Sequence, residues 1–220
     1  MFTISSGKIT ECIRCGTCCK KGGPVLHHED KDILRGGHVG YEHLVTLRKG
    51  EQAYNPIKDM LEPIPGELIK IAGNGRDWGC FFYDEATGSC AVYQHRPLEC
   101  RLLKCWDTSG IVSVIGRNTL QRSDIINSGD PVIELIKKHE QECPCHELEK
   151  LISAFGGGGE KAMALAGMKE LVHNDLSIRT FAFKELDLKR EFEMFIFGRP
   201  LSQILEERGL KVAMNEGKKS

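Results

Sequence analysis

The 220-residue sequence predicts an α+β protein: a small, irregular, metal-stabilised cysteine-cluster domain followed by a helical C-terminal part. Two observations carry this. Ten cysteines all lie before residue 146, four within residues 12–19, four within 80–105, and the last two at 143 and 145. Beyond Cys145 the apolar residues switch to the i, i+3, i+4, i+7 spacing of amphipathic helices. The expected division is therefore a cysteine-cluster domain over 1–146 and a helical extension over 147–220.

The first part reads as loop-rich. Gly16, Gly22, Gly23 and Pro24 punctuate the first cysteine group, and turns of this kind bring backbone N–H groups close to sulfur. Residues 28–34 and 41–48 fit short helices separated by Gly36-Gly37. Asn55-Pro56 and Pro63-Ile64-Pro65-Gly66 mark loops. Leu68–Ala72 and Cys80–Tyr83 are the strand candidates, the second running into a turn at Asp84–Gly88. Residues 111–115 fit a strand or a helix.

In the second part, Leu148, Leu151, Ile152 and Phe155 form one helical stripe, with Gly156 as its C-cap. Leu165, Met168, Leu171 and Val172 form the next. Asp175 is expected to open a further helix with Ile178, Phe181 and Ala182 inward. Pro200 suits the first turn of a short helix through Arg208, stopped by Gly209; the tail from Asn215 is expected to fray. These stripes read as core, not as a cofactor box. Gly156–Gly159 precedes a helix, but no strand leads into it and no Gly-Lys-Ser/Thr follows. It reads as a link between helices in preference to a phosphate cradle.

Composition narrows the function classes. Thirty basic and 31 acidic residues leave a net charge of −1, which gives no general reason to expect nucleic acid or an anionic membrane as partner. No apolar run approaches the ~18–20 residues of a membrane span. Met1–Lys8 lacks the basic segment and apolar run of a secretory signal, so the expected compartment is a reducing cytoplasm. There, a disulfide scaffold is a poor explanation of ten cysteines, and one redox Cys-x-x-Cys pair would account for two of them.

Metal binding accounts for more. Cys12-Ile13-Arg14-Cys15-Gly16-Thr17-Cys18-Cys19 is C-x2-C-x2-C-C, a spacing by which zinc ribbons and iron–sulfur loops turn sulfurs onto one metal. The vicinal Cys18-Cys19 pair does not easily place both side chains on one small ion. The second constellation, Cys80, Cys90, Cys100 and Cys105, has weak spacing by itself. Its neighbours strengthen it, since Arg14, Arg96, Arg101 and Lys104 could offset the negative charge of gathered thiolates. His95 is a minor ligand candidate. His27-His28 reads as an exposed pair at a helix start, and Trp78 and Trp106 as core. No dinucleotide fingerprint, His-Glu-x-x-His or nucleophile–base pair is present.

These residues resemble the CxxCxxCC-type cysteine-cluster family, described as zinc- or iron-chelating. The resemblance rests on Cys12–Cys19, Cys80, Cys90 and Tyr93-Gln94-His95-Arg96-Pro97-Leu98-Glu99-Cys100-Arg101, with Cys105 where many members carry another cysteine. Cys143-Pro144 resembles a later Cys-Pro that often continues as Gly-Ile; here Cys145-His146 follows. The resemblance implies metal binding with the metal left open, its ligands drawn from Cys12, Cys15, Cys18, Cys19, Cys80, Cys90, Cys100 and Cys105. The repeated two-residue spacing tilts the expected cofactor to an iron–sulfur cluster, 4Fe-4S, with a closed tetrathiolate zinc site nearly as good. Flagellin lysine methylases look like relatives with the same pattern. This keeps an iron–sulfur-dependent enzyme of redox or methylation chemistry, or a metal donor or store, as alternatives. Neither catalytic residues nor a protein partner can be named from these residues.

Overall fold

The computed structural model describes residues 12–74, 78–157 and 160–211. It is mixed α+β, with small antiparallel sheets early and helices late. The chain divides into two compact units: Met1–Gly40 with Lys70–Leu120, and Tyr41–Ile69 with Gln121–Ser220. The helical unit thus takes in residues 41–69 and 121–146 as well as the C-terminal part.

In the first unit, short elements present cysteines. Gly73–Asn74 pairs with Gly79–Cys80, and Tyr83–Asp84 with Ser89–Cys90, in registers that set Gly73 opposite Cys80 and Tyr83 opposite Cys90. The strand expected over 80–83 is therefore two dipeptide strands, each closing a different hairpin. The turn after Tyr83 forms because the Asp84 carboxylate accepts the Ala86 N–H at 2.9 Å while Gly88 takes φ 64°. Thr17–Lys20 is one helical turn carrying Cys18 and Cys19. Its N-cap, Gly16, has φ 75°, and a Cβ there would lie 1.9 Å from the Tyr83 hydroxyl. Only glycine fits both the left-handed backbone and that approach.

Leu98–Leu102 carries Cys100. The first N–H of this helix, from Leu98, is accepted by Asp30, a fully buried carboxylate 68 residues earlier. Residues 111–115, ambiguous between strand and helix, begin as the end of a Ser109–Val112 helical turn. Leu26, Val39, Ile71, Phe82 and Leu120 are among the buried apolar residues of this unit.

The second unit has a larger core. Leu44–Leu47 is a strand where a helix is expected, since buried Leu44, Val45 and Thr46 give it a β-branched, fully covered character. Gln52–Asn55 pairs with Met60–Pro63 across the Asn55-Pro56 turn. Val132–Glu142, Cys145–Gly156, Lys161–Glu185 and Leu201–Glu207 are the longer helices. The expected stripes are buried at Leu148, Met168, Leu171, Val172, Ile178 and Ala182, whereas Phe181 is half exposed. Gly167 lets Cys145–Gly156 approach Lys161–Glu185, because a Cβ there would meet Leu151 at 3.0 Å. Part of the Gly156–Gly159 link and the tail from Asn215 lie outside the described residues.

Asp175 does not open a helix; it lies inside Lys161–Glu185 and is 2% exposed. Its carboxylate accepts from His139 Nε2 at 2.6 Å, Arg179 Nε at 2.9 Å and the Leu201 N–H at 3.0 Å. Tertiary hydrogen bonds thus override its capping propensity in its own helix and make it the cap of another. Gly209, with φ 74°, follows the Leu201–Glu207 helix as expected.

Candidate metal centre

All eight cysteines expected as ligands line a single cavity of about 260 Å³ in the first unit. Four chain segments bring them there: the Cys12–Cys19 loop and turn, the two hairpins, the Leu98–Leu102 helix and the loop after it. Cys18, Cys19, Cys80, Cys90 and Cys100 are half-buried, and Cys12, Cys15 and Cys105 are exposed. Cys18 and Cys19 have sulfurs 3.9 Å apart.

The local backbone favours sulfur anions. The N–H of Thr17 points to the Cys15 sulfur, and that of Phe82 to the Cys80 sulfur, each two residues beyond its own cysteine. The Thr17 hydroxyl lies 3.3 Å from Cys15 Sγ, and these contacts lower the Cys15 pKa. Deeper in, burial dominates. Desolvation and the neighbouring Cys18, Cys80 and Cys90 push Cys19 up to about 12. Burial and the other thiols also push Cys100 up, and burial raises Cys80. Half-buried thiols this close cannot all ionise in the absence of a cation, so a metal that takes them must displace protons.

Counter-charge is present. Arg14 and Arg96 line the cavity and stack on the Tyr93 ring at 4.1 and 3.9 Å from its centroid. Lys21 also lines it. Two other expected cations do not: Arg101 faces Asp30 at 3.8 Å, and Lys104 lies outside the cavity wall. His95 is no ligand candidate in this geometry, because it stacks on His38 with centroids 3.4 Å apart. His27 is 1% exposed, not an exposed residue, with Nδ1 2.9 Å from the Arg117 carbonyl and Nε2 3.3 Å from Glu99. Trp106 is not core; it lines the cavity and is 38% exposed.

A second polar cluster, absent from the sequence-level candidates, lies in the helical unit. His139, Cys143 and Asp175 have potential ligand atoms within 4.8 Å of one another. His139 and Asp175 are already engaged, and the Cys143 thiol faces the Leu171 carbonyl at 3.9 Å. Arg48 Nη1 lies 3.2 Å from His139 Nδ1, which leaves Nε2–H to donate to Asp175. Burial lowers the His139 pKa to about 4, and the His139 and Arg179 contacts outweigh burial to hold Asp175 at about 2. Two guanidiniums beside a neutral imidazole favour a structural core network over a cation site. Cys143 and Cys145 are buried in this unit, and burial pushes each up to about 12. No short-range motif marks this cluster, because its members come together only through tertiary folding.

Eight thiols around one cavity, with Arg14, Arg96 and Lys21 in its wall, make this the candidate metal centre. Comparison with known proteins agrees: residues 11–144 match the CxxCxxCC family, described as "Putative zinc- or iron-chelating domain", and the chain belongs to that family. An uncharacterized protein of Methanocaldococcus jannaschii is 29% identical over 97 residues, which cover 44% of this chain and 45% of the relative. The chain thus spans less than half the length of this curated relative. No solved structure matches. No described helix is long and apolar enough to cross a membrane.

Proposed function

We propose that the first unit holds an iron–sulfur cluster through thiolates drawn from Cys12, Cys15, Cys18, Cys19, Cys80, Cys90, Cys100 and Cys105, and that bound metal stabilises this unit. One observation carries the reading: the eight thiols line a cavity of about 260 Å³, and among the described residues no three of their sulfurs lie within 4.8 Å of one another. A water-sized sphere needs only about 10–15 Å³. A tetrathiolate zinc ion is enclosed by its own ligands, with bonds of about 2.3 Å, and leaves no such space to fill. Several irons bridged by sulfide spread their thiolates wider. The backbone N–H groups on Cys15 and Cys80, with Arg14 and Arg96 nearby, are the hydrogen bonds and charge that thiolate-bound centres use.

The test is anaerobic purification followed by elemental analysis, inorganic sulfide assay and visible absorption. Iron, sulfide and a coloured protein are expected. A colourless protein with stoichiometric zinc and no sulfide would sink the cluster reading and leave a zinc-chelating domain.

A further inference from the structure

Cys12, Cys15 and Cys105 are exposed and line the cavity, so they mark its mouth. Arg14 is exposed beside them, and Arg96 is half-buried in the same wall. Both lack the partners that other arginines of the protein have. Arg101, Arg122, Arg179 and Arg199 each pair with a carboxylate. Among the described residues, Arg14 and Arg96 pair with none, and neither donates a hydrogen bond to sulfur. Arg96 Nε donates to the Tyr93 carbonyl at 3.0 Å, which leaves its terminal N–H groups free. Glu99, the one carboxylate in the described wall, is already taken by the Val25 N–H at 2.8 Å and by His27.

The two guanidiniums are nonetheless held in place over the Tyr93 ring. Such a contact orients a guanidinium without consuming its N–H groups. Arg14 reaches the ring from a left-handed backbone, φ 57°, which a residue other than glycine seldom adopts and which functional loops retain at a cost. The neighbouring wall is apolar. Ile13 and Trp106 stand exposed at the mouth, with Leu103 and Ile111 half-buried in the lining.

We infer that the mouth of the cavity binds a small carboxylate with an apolar body. Arg14 and Arg96 take the carboxylate through their free N–H groups, and Ile13 and Trp106 cover the body. A phosphate suits the place less well, because its further negative charge would face the cysteine sulfurs. The site goes beyond the proposed cluster and stands whichever metal the thiols hold.

The experiment titrates the full chain, purified anaerobically and with its metal and sulfide measured, with benzoate under ligand-detected NMR. Benzamide, the neutral isostere, and inorganic phosphate are run alongside. Benzoate should bind saturably, roughly fivefold or more tighter than either, and more weakly as salt is added. Arg14→Gln/Arg96→Gln should weaken it roughly tenfold or more. Arg14→Lys/Arg96→Lys keeps the charge beside the thiols and removes the planar fork. It should retain metal and still lose benzoate affinity roughly threefold or more, which decides the matter if the glutamine variant loses metal. No saturable benzoate binding, or affinity unchanged in the lysine variant, would overturn the site; with iron and sulfide intact, it would leave the cluster reading standing. Conversely, zinc without sulfide would sink the cluster and leave the carboxylate site. Tighter binding of N-acetylglutamate methylamide than of benzoate would assign the mouth to a protein side chain and overturn the small-molecule assignment.

Discussion

His139 and Asp175 set how single residues couple the helical unit to pH. His139 is neutral in the fold, with its pKa near 4 against an ordinary 6.5, because it is buried beside Arg48. Between pH 6.5 and 4 the unfolded chain therefore binds a proton that the folded chain refuses, and stability falls as pH falls. Asp175, held near 2 against an ordinary 3.8, acts in the same direction lower down: its contribution is present above pH 4 and disappears towards pH 2. The urea midpoint of the helical unit should drop steadily from pH 7 to pH 4, by a stability of order 1–3 kcal/mol for His139. His139→Asn should flatten the pH 7 to 5 part of that slope. An equally steep slope in the variant would remove His139 as its source. Arg48, whose charge helps keep His139 neutral, is fully buried, and among the described residues its Nε and Nη2 have no hydrogen-bond partner.

At the scale of elements, two short helices are started in the same way. Arg96-Pro97-Leu98 and Arg199-Pro200-Leu201 each put proline just before a first helical leucine, where its missing N–H costs nothing. In each, a distant buried aspartate accepts the leucine N–H: Asp30 for Leu98 at 2.8 Å, Asp175 for Leu201 at 3.0 Å. The first of these helices presents Cys100, so its cap bears on the cavity. Asp30→Ala should cost about 0.5–2 kcal/mol, reduce amide protection across Leu98–Leu102 and lower metal content. Unchanged metal content with lost protection would show that Cys100 keeps its place without the cap.

These caps also show what the sequence could and could not convey. Pro200 and Gly209 bounded their helix correctly because proline and glycine act through their own backbone. The Asp84–Gly88 turn is legible for the same reason, and the Cys12–Cys19 motif is legible because its C-x2-C-x2-C-C spacing is local. Asp175 was misplaced because its partners, His139 and Leu201, lie far from it in sequence. Leu44–Leu47 was misread because its burial is set by tertiary packing. His27 looked like surface for want of any sign of Arg117 and Glu99. The wide separation of segments 12–19 and 80–105 hid which thiols would lie deep and which at the mouth.

At the scale of the whole molecule, the two units are held together internally by different means. The helical unit has a broad apolar core, with Leu44, Leu148, Met168, Phe195, Phe197 and Leu205 nearly or fully buried. The cysteine unit has few buried apolar residues, and its strands outside the 68–71 segment are dipeptides. Two-residue strands and one-turn helices do not stand alone, since they fix backbone dihedrals for very few hydrogen bonds. On the reading proposed above, metal-binding free energy is folding free energy for this unit, while the helical unit rests on apolar burial. Amide exchange should separate the two. On complete metal removal by an anaerobic chelator, protection should collapse at Thr17–Lys20, Gly79–Cys80, Ser89–Cys90 and Leu98–Leu102. It should persist in Val132–Glu142, Cys145–Gly156 and Lys161–Glu185. Retention of protection in the cysteine unit after metal removal would show that Leu26, Ile71, Phe82 and Leu120 suffice to hold it, and that the thiols serve chemistry instead of architecture.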